Sequence, residues 1–152
     1  MRITAKSDYG VRAMIEIARR DADGPINAEE IGTAQDIPRG FLLAILADLR
    51  RAGVLLSLRG PSGGWRLARP AAEISVAEVI RSIDGPLVSV HGLRPEAVDY
   101  NETATPLQLV WIAARSSLRD VLENVSVGDL AAGELPAPIA GRTVDEDAWQ
   151  PR

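Results

Sequence analysis

Between two short β-prone runs, residues 54–58 (VLLSL) and 65–67 (WRL), the chain carries Arg59-Gly60-Pro61-Ser62-Gly63-Gly64, three glycines and a proline in six residues. Glycine and proline at that density end regular structure and supply the backbone angles of a tight reversal, so the two runs read as a β-hairpin. What precedes it is helical. Val11, Met14, Ile15 and Ala18 recur at helical spacing, and Tyr9, Ala13 and Ile17 widen that face, which predicts a well-buried helix over residues 7–20. Residues 22–25 (ADGP) are a turn, and Asn27 with Glu30 three positions later forms a capping-box pattern opening a short second helix that runs through Ile31 and Ala34. Pro38 suits the first turn of a third helix, whose stripe is Phe41, Leu42, Ile45, Leu46 and Leu49, with Gly53 as its C-terminal cap. Three helices joined by tight turns, the second of about two turns, match a helix-turn-helix, and the hairpin then takes the place of a wing.

A helix over residues 75–83 follows and stops at Asp84-Gly85-Pro86. Residues 89–105 show no periodicity and read as a long loop. Thr105 as cap and Pro106 as first residue open a helix in which Leu107, Val110, Trp111, Ala114, Leu118, Val121 and Leu122 make one stripe. That stripe is longer than a small module needs to cover, so a second copy of the chain is the economical partner, with an intramolecular bundle as the alternative. Ser126 and Asp129 cap a last short helix ending at Gly133. The remainder, residues 134–152, holds three prolines, three consecutive acids and few large apolar groups, and is expected to be disordered. The fold class read from these elements is mainly α with a small β-hairpin, a winged helix-turn-helix followed by a long dimerisation helix. The elements divide the chain into residues 1–70, the winged helix-turn-helix; 71–133, the later helices with the loop at 89–105; and 134–152, the tail.

Composition excludes more chemistry than it suggests. The 152 residues contain no cysteine and one histidine, His91, so disulfides, thiolate catalysis and zinc-thiolate sites are excluded and no metal site is suggested. There is no phosphate-binding Walker string, no GxSxG, no dinucleotide fingerprint and no nucleophile beside the histidine, so an enzyme is not expected. No apolar run reaches ~18 residues and the N-terminus lacks a signal-peptide core, from which a soluble cytoplasmic protein without a membrane partner is expected. The net charge of −4 is divided unevenly, +3 over residues 1–69 and −7 over residues 70–152. A basic N-terminal half on an acidic protein agrees with a nucleic-acid-binding module, although so small an excess also fits ordinary surface charge.

The segment Arg2-Ile3-Thr4 with Lys6, Tyr9 and Ala13-Met14, then residues 49–53 (LRRAG), then the wing string RGPSGGWRLARP at 59–70, resembles the Rrf2 family of bacterial winged-helix regulators. The resemblance covers residues 1–88 and continues weakly to residue 130. It implies a homodimeric regulator, a repressor, that binds a pseudo-palindromic double-stranded operator through recognition helix 38–52 and wing 54–67, with residues 1–70 as the DNA-binding domain and 71–133 as a dimerisation and sensory region with its loop at 89–105. In cluster-binding relatives the loop matching residues 91–105 carries three cysteines. This chain has none, so no iron-sulfur cluster is expected and no other cofactor is implied.

On that frame Arg39, Gly40, Leu43 and Ala44 face the major groove, a surface poor in donors and acceptors where family members place polar groups. Arg39 can pair with a guanine edge, and Leu43 or Ala44 can meet thymine methyls. Arg59, flanked by Gly60 and Gly63 at the wing tip, is the strongest candidate for a narrow minor groove, against the alternative of a solvated turn arginine. Thr4, Lys6, Tyr9, Arg50, Arg51 and Ser62 are candidate backbone contacts, although Arg50 and Arg51 read equally well as surface charge. Tyr9, Phe41 and Trp65 lie at apolar-stripe or strand positions and are expected in the core. In the loop, His91, Arg94, Asp99, Tyr100 and Glu102 suit a small metabolite or a protein co-regulator, and equally a solvated loop. The competing function is a regulator that docks a protein partner on the apolar face Gly40, Leu43 and Ala44, with weak or no specific DNA binding.

Overall fold

A computed structural model describes residues 3–151; Arg2 of the family-like segment lies outside them. Seven α-helices and one hairpin are present among the described residues. Helix α1 spans Ala5–Arg19 and is capped by Thr4, whose Oγ1 accepts the Ser7 amide at 3.0 Å. Helix α2 (Ala28–Gln35) opens on the Asn27/Glu30 capping box and ends at Asp36 in the left-handed region, φ 51°. Helix α3 (Arg39–Arg51) follows Pro38, and Gly53 with φ 77° lies just past its C-terminal cap, where glycine is favoured.

Strands β1 (Leu55–Leu58) and β2 (Gly64–Leu67) pair antiparallel, with Leu55 opposite Leu67 and Leu58 opposite Gly64. Strand β2 is bonded on its other edge as well: the Trp65 amide donates to Ile26 O at 2.8 Å and the Ile26 amide to Trp65 O at 3.0 Å. The hairpin is thereby joined to the backbone just ahead of α2. That approach requires Gly64, because a Cβ there would stand 2.6 Å from Ile26 O.

Helix α4 spans Val76–Asp84, α5 Thr105–Leu122 and α6 Val127–Ala132. Ala104 occupies the N-cap of α5, so Thr105 is its first helical residue rather than its cap; the Thr105 hydroxyl donates to Asn101 O. The core gathers Met14 and Ile17 of α1, Ile31 of α2, Leu42, Ile45, Leu46 and Leu49 of α3, and Leu55 of β1. It does not stop at residue 70: Ile74, Val79 and Val127 are fully buried in the same cluster. The Val76 amide donates to Val125 O and the Val127 amide to Ile74 O, which pairs the start of α6 with the segment ahead of α4, and Val127 is buried in one cluster with Met14 and Ile17 of α1. Burying each of these aliphatic side chains contributes roughly 1.5–3 kcal/mol, which joins residues 1–70 and 71–133 through one interior.

The segment after Gly133 is not the structureless tail that its composition suggests. A short helix α7 (Ala137–Ala140) buries Ile139 beside Val76 and Val125, and the Trp149 indole N–H donates to Thr143 O at 2.8 Å. One apolar side chain docked on a preformed cluster orders the turn around it.

Candidate nucleic-acid interface

Helix α3 turns Leu42, Ile45, Leu46 and Leu49 inward, which leaves Arg39, Gly40, Leu43 and Ala44 exposed as the helical period requires. Arg39 makes no hydrogen bond or ion pair among the described residues. Phe41 departs from expectation. It is 52% exposed, with its ring edge-on to Tyr9 at a centroid distance of 5.9 Å, and the Arg12 guanidinium lies 5.4 Å from the Tyr9 ring centroid. Phe41 sits at the margin of the α3 stripe, where α1 covers one side of its ring and the other faces solvent. An aromatic group therefore flanks the exposed face of α3, where the sequence pattern expects core.

At the wing tip Arg59, Gly60 and Ser62 are exposed, and Arg59 has no partner among the described residues. Gly63 is obligatory for the reversal: a Cβ would stand 2.2 Å from Leu58 O. Arg66 on β2 is exposed and likewise unpaired among the described residues, a further cation that the sequence reading leaves out. Arg50 donates to Ser57 Oγ at 3.2 Å, which ties the end of α3 to β1.

Other expected backbone contacts are engaged within the protein. Lys6 Nζ lies 2.5 Å from Asp48 and Arg51 Nη1 2.8 Å from the same carboxylate, so two cations share one anion. Lys6, and after it Arg51, hold the Asp48 carboxyl below the usual carboxylate range. The Thr4 hydroxyl donates to Asp84 Oδ2 at 2.5 Å, and the Ser7 hydroxyl donates to the same oxygen at 2.6 Å. Apart from Asp48 and Arg51, which are three residues apart on α3, these pairs join residues far apart in sequence, and no local pattern announces them.

Helix α5 has no fully buried residue. Of its stripe, Leu107, Val110 and Ala114 are exposed, and Leu109 beside them is 66% exposed. Trp111 and Leu118 are half-buried, whereas Val121 and Leu122 pack on the Val76, Val125 and Ile139 cluster. The expected single stripe is therefore divided, an open N-terminal part and a C-terminal part covered by the chain itself. The loop before it is folded onto α5. Val90 and Leu93 exchange backbone hydrogen bonds around His91, whose φ is 52°, and Gln108 Nε2 donates to Pro95 O and Val98 O. Arg115 pairs with Glu96 at 2.5 Å. Of the loop candidates, Arg94 lines a cleft against α4 and α5; His91, Asp99 and Glu102 are exposed outside it and Tyr100 is half-buried. No helix of the described residues is long and apolar enough to cross a membrane.

A family profile described as Rrf2, iron-dependent transcriptional regulator, matches residues 3–133. The residues present do not fit a thiolate-held iron cluster. The chain has no cysteine, and among the described residues no three His, Asp or Glu side chains gather in a way that would hold a metal ion. The chain is 43% identical over 140 residues to Rv1287 of Mycobacterium tuberculosis, named as an HTH-type transcriptional regulator, with 92% of this chain and 87% of that protein covered. Its fold resembles the solved structure of CymR, the global cysteine regulator of Bacillus subtilis, at TM-score 0.74 and 28% identity over 89% of this chain and 99% of that one. The structure of IscR from T. potens is similar at TM-score 0.70 and 26% identity, covering 99% and 97%. These relatives are transcriptional regulators and not enzymes. A profile that covers most of the chain, a relative at 43% identity and a winged helix-turn-helix with a glycine-rich wing agree: the chain belongs to the Rrf2 family of transcriptional regulators.

Proposed function

We propose that the chain acts as a homodimeric repressor that binds a pseudo-palindromic operator through α3 and the wing, without an iron-sulfur cluster. The observation that carries this reading is the distribution of unpaired cations. Arg39 at the start of α3, Arg59 at the wing tip and Arg66 on β2 are in no ion pair or side-chain hydrogen bond among the described residues, and neither are Arg19, Arg94 and Arg142 elsewhere, whereas Lys6, Arg51, Arg69, Arg81, Arg115 and Arg119 are all in ion pairs; what sets the first three apart is that they lie on the reading helix and the wing. Unpaired guanidinium groups at the start of a reading helix and on a wing are suited to phosphates and groove edges. The exposed Leu107, Leu109 and Val110 supply a surface for a second copy, and twofold pairing of two readers gives a palindromic site. The loop ahead of α5 is the candidate receiver of a small metabolite or protein co-regulator.

Fluorescence anisotropy with the chain's own promoter DNA tests this. The logarithm of affinity is expected to fall linearly with the logarithm of salt, with a slope of about −0.9 per phosphate neutralised. Arg59→Ala is expected to weaken operator binding by about 1–3 kcal/mol. A flat salt response, or unchanged affinity in the variant, refutes it.

A second reading is favoured by one observation, the exposure of Phe41 (52%) and Leu43 (43%) beside Gly40 and Ala44. That apolar patch suits a docked protein segment, and recovery of a stoichiometric partner whose binding is lost in Leu43→Asp, with no salt-dependent DNA binding, would establish it.

A further inference from the structure

A cleft of about 560 Å³ opens between the end of α4, residues 85–87, the loop ahead of α5, and α5 itself. Four arginines from three separate elements line it: Arg81 from α4, Arg94 from the loop, and Arg115 and Arg119 from successive turns of α5. Two carboxylates accompany them. Glu123 is held by Arg81 and by Arg119, the latter at 3.0 Å, and Glu96 by Arg115 at 2.5 Å. Arg81 and Arg119 lower the Glu123 carboxyl below its ordinary range; the Glu96 backbone amide and then Arg115 do the same for Glu96, so both are anionic at neutral pH. Four guanidinium groups against two carboxylates leave a net charge of two positive units in the cleft, and Arg94 reaches Glu96 only through a longer-range attraction, with no side-chain hydrogen bond or ion pair among the described residues.

An arginine on an open helix is ordinarily solvated, and one such residue would carry no meaning. Here the chain folds so that like charges from α4, the loop and α5 converge on one concave space, which costs free energy unless an anion enters. The planar fork of arginine matches carboxylate and phosphate oxygens in pairs. We propose that this cleft binds a small dianion bearing carboxylate or phosphate oxygens, with Arg94 and Arg119 as its principal contacts. The inference deepens the reading of the loop as the receiver of an effector. It also gives that signal a short route, because Asp84, one turn beyond Arg81 on α4, receives the hydroxyls of Thr4 and Ser7 at the start of α1.

Calorimetric titration and thermal denaturation of the full chain, without DNA, test it with succinate and with inorganic phosphate as probes and chloride at matched ionic strength as control. A saturable site of one probe per chain is expected, together with a rise in Tm that chloride does not reproduce. The dissociation constant is expected to weaken about tenfold in Arg94→Ala and in Arg119→Ala. Arg94 is exposed and in no ion pair, so its variant keeps the fold, which a circular dichroism melt verifies. A response to succinate alone marks a carboxylate ligand and a response to phosphate alone a phosphorylated one, and each supports the proposal. No saturable response beyond that to chloride, or unchanged affinity in both variants, overturns it. Because DNA is left out, such a failure leaves the operator reading to be judged by its own anisotropy experiment.

Discussion

Asp84 shows how much a single carboxylate organises. It is the last residue of α4, and it receives hydroxyls from Thr4 and from Ser7, the latter only 1% exposed. Asp84→Ala leaves the buried Ser7 hydroxyl without its acceptor and is expected to cost about 1–3 kcal/mol, read as a lower urea midpoint at unchanged m-value. A midpoint equal to that of the wild type would show that water replaces the carboxylate at no cost. Side chains of this kind are the least legible in sequence. Helical spacing places Leu42, Ile45 and Leu46 inside without difficulty, since each lies near the middle of its stripe. Phe41 lies at the stripe's margin, and only the position of α1 decides how much of it solvent reaches. The pairing of Lys6 with Asp48 is invisible for a related reason, being made by two helices that meet in space, whereas Asp48 and Arg51 are neighbours on one helix.

At the scale of elements, local chemistry is a better guide. The capping boxes Asn27/Glu30 and Ser126/Asp129 form where the sequence places them, because each needs only residues three apart. The hairpin forms where glycine and proline permit a reversal. Helix α5 is where element and fold separate: its periodicity is plain, yet periodicity names no partner. The open part of its stripe, Leu107, Leu109 and Val110, is the surface on which Val110→Asp should act. Analytical ultracentrifugation is expected to show the wild type as a dimer and this variant shifted to monomer, with the far-ultraviolet spectrum retained because residue 110 is exposed in the single chain. A dimeric variant at micromolar concentration would place the contact elsewhere. The order after Gly133 is illegible for a different reason. Among the described residues after Gly133 only Ile139 is buried, and its cluster is assembled by Val76 and Val125 from distant positions.

For the whole molecule, acid is the informative perturbation. Asp48, Glu96, Glu123 and Asp129 all have carboxyl pKa values lowered in the folded chain, by Lys6, by the Glu96 backbone amide with Arg115, by Arg81 with Arg119, and by the Ser126 hydroxyl and amide respectively. A group depressed in the folded state stabilises it fully above the unfolded value of about 4 and loses that contribution as pH falls through the folded value. Tm is therefore expected to drop as pH is lowered from about 5 to 3. Constant Tm across that window would mean that these pairs add nothing net. A last consequence belongs to the double-edged strand β2, whose bonds to β1 on one side and to Ile26 on the other fasten the wing to the start of the helix pair. The span from wing tip to reading helix is then a caliper with its jaws already locked. On the operator-binding reading proposed above, a duplex whose grooves do not match that opening has to bend or narrow to enter it, so the stiffness of the DNA, and not only the edges of its bases, becomes part of what such a protein measures.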